Sequence, residues 1–318
     1  MAVIFPEVKY VDANGIRMAY YEQGEGPALV LAHGWPELSY SWRYQISVMA
    51  EAGYRVIVPD QRGYGKTDKP DGVENYDIHH LCGDHVGLLD ALGIDKALYI
   101  GHDWGAIVSW HMPLLHPERV AGVIGMSVPF VARGPSEPIA FWEKVLGSDM
   151  YIVHFNRQPG VAEAAFEKDV HKFLFNMYRK NAKQRGGSFG PGQNQGMPLI
   201  GLAASDTPNG EPLMSEEELQ VFVDAFEQGG FACPINWYRN FTRNWNTTAD
   251  MPQTISQPCA VIYGEYDAVP QGKNLENHIA NLETFELPCG HWIQQEMPEE
   301  TNKIVLDWLE SHHSELFN

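Results

Sequence analysis

An α/β fold, with a mostly parallel sheet, helices on both faces and an inserted helical cap, is what this 318-residue sequence predicts. Three observations carry that expectation. Short, nearly continuous apolar runs alternate with helical patterns towards both ends of the chain, as parallel strands buried on both faces do. The alternation stops after Phe130 and resumes only beyond about Arg243. One apolar run also gives way to a helix-forming stretch within a few residues, at Leu98-Tyr99-Ile100-Gly101-His102-Asp103-Trp104-Gly105-Ala106-Ile107-Val108.

Taken in order, residues 8–21 alternate in polarity around Asn14-Gly15, a strong hairpin signal, so two antiparallel edge strands open the sheet. Parallel strands are expected at 27–32, 54–59, 97–100 and 120–126. Residues 131–243 hold helical patches, aromatics and the glycine-rich stretch 185–196, in which no regular structure is expected. Strands return at 259–264 and 283–287, and a helix from about 298 to 312 closes the chain with Ile304, Val305, Trp308 and Leu309 on one stripe. The sequence therefore divides into a core of 1–130 with 244–318 and a cap of 131–243.

Charge narrows the class of ligand. With 22 basic and 41 acidic residues the formal charge is −19, which opposes nucleic acid and anionic membrane and favours a neutral or weakly charged ligand. No run approaches the ~18 apolar residues of a membrane span, and residues 1–7 lack a signal peptide's basic start, so a cytoplasmic protein is expected. Cys82, Cys233, Cys259 and Cys289 have no paired spacing, which argues against a disulfide framework or a zinc site. His80 and Asp84, four apart, could share a helix face. The segment 79–85 reads instead as an amphipathic helix with its polar side to water, and no metal is expected.

In parallel sheets, sites form at the carboxyl ends of the strands. Asp103 sits there, bracketed by Gly101 and Gly105, in the pattern of a nucleophile elbow with aspartate at the apex; an Asp capping an ordinary helix is the competing reading. The loop His33-Gly34-Trp35-Pro36 follows the first parallel strand, so the main-chain N–H groups of Trp35 and Trp104 are the candidate oxyanion-hole donors. Glu265-Tyr266-Asp267 and Cys289-Gly290-His291-Trp292 follow the last two strands, giving the order nucleophile, acid, histidine for Asp103, Asp267 and His291. Glu265 competes as the acid. No carboxylate follows the strand ending near Met126, the other place for one, and Asp267 is preferred.

An aspartate nucleophile restricts the chemistry. With an ordinary pKa of about 3.9 it is ionised at neutral pH and needs no base to attack an electrophilic sp³ carbon. The resulting ester is then opened by water that His291, oriented by Asp267, deprotonates. Acyl transfer is disfavoured because a carboxylate attacking an acyl group gives an anhydride. The leaving group stays open: a halide needs only N–H donors, whereas an epoxide oxygen leaves as an alkoxide and calls for a proton donor such as tyrosine.

The chain resembles the soluble epoxide hydrolases of the α/β-hydrolase superfamily over nearly its whole length. The resemblance rests on His33-Gly34-Trp35-Pro36-Glu37, Tyr40-Ser41-Trp42-Arg43-Tyr44-Gln45, Gly101-His102-Asp103-Trp104-Gly105, Cys289-Gly290-His291-Trp292 and two cap segments, 151–163 and 236–245. It implies that Tyr151 and Tyr238 polarise an epoxide oxygen, and that the reaction needs no cofactor, only an apolar epoxide and water, in a monomer or homodimer. The elbow is shared with haloalkane dehalogenases, which keeps that activity as an alternative; a non-catalytic small-ligand receptor on the same fold is another. Trp35 replaces the Phe usual in the family, a feature that leans towards halide binding. Trp35, Trp104, Phe141, Trp142 and Phe155 are the aromatics expected to line an apolar pocket.

Overall fold

The computed structural model describes residues 5–180, 199–208 and 210–317. The Asn14-Gly15 turn joins β1 (Lys9–Ala13) to β2 (Ile16–Gln23), both turn residues having positive φ. After them come β3 (Ala28–Ala32), β4 (Arg55–Pro59), β5 (Ala97–His102), β6 (Val120–Met126), β7 (Cys259–Gly264) and β8 (Leu282–Leu287). All lie in one sheet of order β1-β2-β4-β3-β5-β6-β7-β8. The β1–β2 and β2–β4 pairings are antiparallel and the others parallel, as expected.

Strands β3, β5, β6 and β7 are buried at every position, which is why they read as apolar runs and not as alternation. Their side chains still alternate in space. Leu29, Leu31, Leu98 and Ile100 join one core under α1 (Ile46–Glu51) and the closing helix; Val30 and Tyr99 join the other, under α2 (Ile78–Ala91) and α3 (Trp104–Leu115).

Between β6 and β7 the described residues form eight helices and one isolated antiparallel bridge, Arg179 with Pro212: α4 (Pro138–Leu146), α5 (Tyr151–Arg157), α6 (Val161–Glu167), α7 (Val170–Met177), α8 (Leu199–Ala204), α9 (Glu216–Gly229), α10 (Ala232–Arg239) and α11 (Phe241–Thr247). α12 (Ile293–Glu296) and α13 (Pro298–Phe317) end the fold. Helix α11 crosses position 243, so the expected return to the core falls inside a helix. α13 runs five residues past the expected end at 312. The glycine-rich stretch 185–196 lies outside the described residues.

Polar contacts tie the helical layer to the sheet layer. Buried Arg43 donates through Nε to Glu218 Oε1 of α9 at 2.7 Å and through Nη1 to Gln295 Oε1 at 2.7 Å. The Trp237 indole N–H donates to Arg62 O at 3.1 Å, and the Tyr178 hydroxyl to Pro36 O. Among the described residues no helix is long and apolar enough to cross a membrane.

One expectation fails on α2. Its polar residues do not all face water: Asp84 is buried and accepts from Arg62 Nε at 2.7 Å and Nη2 at 2.6 Å, with Asn14 Nδ2 at 2.9 Å. His80 turns instead to Asp77, the helix cap, at 2.8 Å. The hairpin turn lies on α2 at this point, and a bidentate ion pair is what makes a buried carboxylate tolerable there. Asp84→Ala leaves the Arg62 guanidinium buried and uncompensated, so unfolding by urea is expected to reveal a loss on the order of 3 kcal/mol. A change below about 0.5 kcal/mol would contradict that role.

Candidate active site

Asp103 stands between β5 and α3 with φ 51° and ψ −118°. Positive φ in a residue with a Cβ is strained, on the order of 1–3 kcal/mol, and persists only where the surroundings impose it. They do so by close packing. A Cβ on Gly105 would lie 2.0 Å from Ala32 O, and one on Gly34 2.4 Å from Asp103 Cβ, so glycine is required where α3 and the β3 loop meet the elbow. Asp103 occupies the N-cap position of α3, but its carboxylate makes no side-chain capping bond there and is turned towards the β3 loop. Oδ1 accepts the main-chain N–H of Trp35 at 2.8 Å, and the N–H of Trp104 also bonds the carboxylate. Both candidate oxyanion donors thus converge on Asp103. Burial pushes its carboxyl above the ordinary value, against His291, His102 and those two N–H groups, which favour the anion.

His291 follows β8 and reaches both aspartates. Its Nε2 is 3.8 Å from Asp103 Oδ2 and its Nδ1 lies 3.1 Å from both oxygens of Asp267. Burial alone would lower its pKa; the charge of Asp267 and its hydrogen bond, then Asp103 and Glu37, overrule this and push it up to about 9. Asp267 moves the opposite way, because His291 and Ser127 outweigh the effect of its burial. Ser127, the residue after β6, escaped the sequence reading. Its hydroxyl is 2.5 Å from Asp267 Oδ2 and 2.9 Å from His291 Nδ1, at the strand end searched only for a carboxylate.

A second buried pair, also missed, lies beneath the elbow. Glu37 Oε2 accepts from Gly34 N at 2.8 Å and His102 Nδ1 at 2.6 Å, while Oε1 accepts the amides of Gln294 and Gln295, each at 3.1 Å. Burial would raise the Glu37 carboxyl, but His102, Gly34 and His33 bring it down to about 2. The other His102 nitrogen, Nε2, faces His291 O at 2.8 Å. Both nitrogens of His102 are therefore engaged, one by the Glu37 carboxylate and the other by the main-chain oxygen of His291. The signal was present, since Glu37 and His102 belong to the loop and elbow motifs, but neither looks unusual until its partner is known.

Tyr151 opens α5 and Tyr238 lies in α10, their rings 5.6 Å apart. The Tyr238 ring packs edge-on against Trp104 at 5.1 Å, Phe155 at 5.3 Å and Trp35 at 5.6 Å. The Trp104 side chain hydrogen-bonds Tyr238, and Tyr238 bonds Tyr151. Burial raises both phenol pKa values, and the negative charge of Asp103 raises them further, so both stay protonated. The buried Trp35 indole N–H has no hydrogen-bond partner among the described residues. Of the other expected pocket aromatics, Phe155 is buried here, and Trp142 connects through Phe241, whose ring lies 5.0 Å from both Trp142 and Trp104. Phe141 does not belong to the cluster: it is 50% exposed, because it lies about 100° around α4 from Trp142, which takes the inward position.

Residues 27–298 match the family model for the alpha/beta hydrolase fold. The chain is 39% identical over 320 residues to Epoxide hydrolase A of Mycobacterium tuberculosis, covering 96% of this chain and 97% of that one. It is 36% identical to Epoxide hydrolase 2 of Siraitia grosvenorii, with 94% and 96% covered. Among solved structures, that of Epoxide Hydrolase A from Mycobacterium thermoresistibile superposes with a TM-score of 0.86 at 37% identity, over 96% of this chain and 98% of that one. The chain belongs to the epoxide hydrolases of the α/β-hydrolase fold.

Proposed function

We propose that this protein converts apolar epoxides to vicinal diols through a covalent ester on Asp103. The observation that carries the reading is the division of labour between the two Asp103 oxygens: Oδ1 is held by the Trp35 N–H, while Oδ2 faces His291. Oδ2 attacks an epoxide carbon and the C–O bond breaks. Tyr151 and Tyr238 hydrogen-bond the departing oxygen, and one gives it a proton. Oδ1 is then the ester carbonyl oxygen, already in its oxyanion hole, where each donor contributes roughly 3–4 kcal/mol to the tetrahedral intermediate. Water attacks Cγ as His291 Nε2 takes its proton; collapse of the intermediate expels the diol, and Asp103 keeps an oxygen from water. No metal or organic cofactor enters these steps.

Esterification also prepares the base. A histidine pushed up to about 9 is a cation at neutral pH and cannot accept a proton. Alkylation cancels the negative charge of Asp103, one of the groups that raise His291, so its pKa drops in the ester as the base becomes needed.

The segment 131–243 acts in this reading as a cap over the nucleophile, and the acidic chain works in the cytoplasm as a monomer or homodimer. Halide displacement finds some support in the unpartnered Trp35 indole N–H, but the indole of Trp104, next to the nucleophile, is engaged by Tyr238. A receptor that has given up catalysis fits poorly with a complete set of nucleophile, base, acid and donors.

A single turnover in heavy-oxygen water is expected to place the label in the peptide bearing Asp103, read by mass spectrometry; an unlabelled carboxylate would sink the ester. Replacing Tyr151 and Tyr238 together by Phe should cut epoxide opening by at least about a hundredfold. Retained epoxide turnover, or halide release from short haloalkanes that survives the double change, would favour the other reading. Because ester hydrolysis needs neutral His291, it slows as pH falls through the lowered pKa. Acid-quenched samples should contain more alkyl-enzyme at pH 5 than at pH 8, and the reverse trend would exclude His291 as the base.

A further inference from the structure

The two tyrosines sit on helices too short to hold their own positions: α5 has 7 residues and α10 has 8. Isolated helices of this length are unstable in water, so whatever joins them sets the distance between their side chains. The join is reciprocal. From α10, Arg239, next to Tyr238, donates through Nε to Phe155 O of α5 at 3.0 Å. From α5, Asn156 donates through Nδ2 to Tyr238 O at 3.1 Å, and to Ile152 O of its own helix at 2.8 Å. Each bond ends on the backbone of the other tyrosine's helix.

Arg239 is itself fixed on two further sides. Its Nη1 donates to Asn236 Oδ1 at 3.0 Å, one turn back on α10, and its Nη2 to Glu163 Oε1 of α6 at 2.5 Å. The other Glu163 oxygen accepts Gly160 N at 3.0 Å, at the start of α6. The ion pair is largely sheltered, with side-chain exposures of 12% for Arg239 and 9% for Glu163. One guanidinium thus spends its donors on α5, α6 and α10, a task its rigid planar fork suits and an ammonium does not. Helix α10 is anchored to the sheet layer by the Trp237 indole N–H on Arg62 O at 3.1 Å; the hydrogen bonds from Arg239 and Asn156 tie it to α5.

We propose that Arg239, with Asn156 as its counterpart, is a positioning residue for epoxide opening: the Arg239–Phe155 and Asn156–Tyr238 bonds hold the Tyr151 and Tyr238 hydroxyls at the spacing that lets both reach one oxygen. The proposal rests on the tyrosine roles given above. It makes a distinction that a general loss of cap stability does not, because the tyrosines serve alkylation and have no part in hydrolysis of the Asp103 ester.

Single-turnover stopped-flow with styrene oxide, following tryptophan fluorescence and calibrated by quenched mass spectrometry of the alkyl-enzyme, separates the two rates. Arg239→Gln is expected to slow alkylation about tenfold or more while ester hydrolysis changes less than twofold. Arg239→Lys should recover only part of the loss, and Asn156→Ala, on the opposite helix, should reproduce the same one-sided effect should the arginine variant fold poorly. Both rates falling together, or neither falling, would overturn the proposal. If Tyr151→Phe with Tyr238→Phe leaves alkylation intact, it is the tyrosine assignment that fails, and that control is read independently of Arg239.

Discussion

The hydrogen bond from Trp35 N to Asp103 Oδ1 is the contact on which the rest of the site depends. It requires two backbone segments, the loop after β3 and the turn after β5, to meet at a distance that admits no side chain on Gly34. That approach in turn forces Asp103 into a conformation an L-residue avoids. The strain is local, and the fold around it is over-determined: parallel pairing of β3 with β5 on one side, and the Glu37 carboxylate holding Gly34 N on the other. What emerges is a carboxylate with one oxygen immobilised and the other presented.

Electrostatically the site is a short sequence of alternating carboxylates and imidazoles buried at the ends of four strands. Glu37, His102, Asp103, His291 and Asp267 succeed one another; the histidines favour the carboxylate anions, and Asp267, Asp103 and Glu37 favour the His291 cation. Burial opposes the charges of Glu37, Asp103, His291 and Asp267, and pairing overcomes it in Glu37, Asp267 and His291 but not fully in Asp103. Asp103 is therefore the least comfortable anion of the group. In the proposed reaction, converting it to a neutral ester relieves that position and at the same time removes support for the His291 cation.

Much of this was legible in the sequence because it is one-dimensional information: strands buried on both faces are apolar throughout, and in a parallel sheet the informative residues come immediately after them. Asp103, Asp267 and His291 could be found that way, as could the loop bearing Trp35. Ser127 was not, since a serine after a strand is ordinary until an Asp–His pair from two other strands is placed against it. Glu37, His102 and Asp84 share that difficulty: a charged residue reads as surface, and only a partner distant in sequence makes its burial possible. Phe141 failed for the opposite reason, an aromatic taken for pocket lining when the helix phase turned it outward. Tyr151 and Tyr238 were reached through resemblance, because nothing in their spacing says that two short helices bring them together.

Ser127 has one consequence for how protons travel. A hydroxyl has a single hydrogen, and at 2.5 Å from Asp267 Oδ2 it is given to the carboxylate. Only lone pairs then remain to face His291 Nδ1, 2.9 Å away, so that nitrogen meets acceptors from the serine and the aspartate alike. The ring cannot shed its Nδ1 hydrogen without losing all of them. In the proposed reaction, traffic is confined to Nε2, the side that looks towards Asp103, and the serine works as a stop that makes the imidazole a one-ended device.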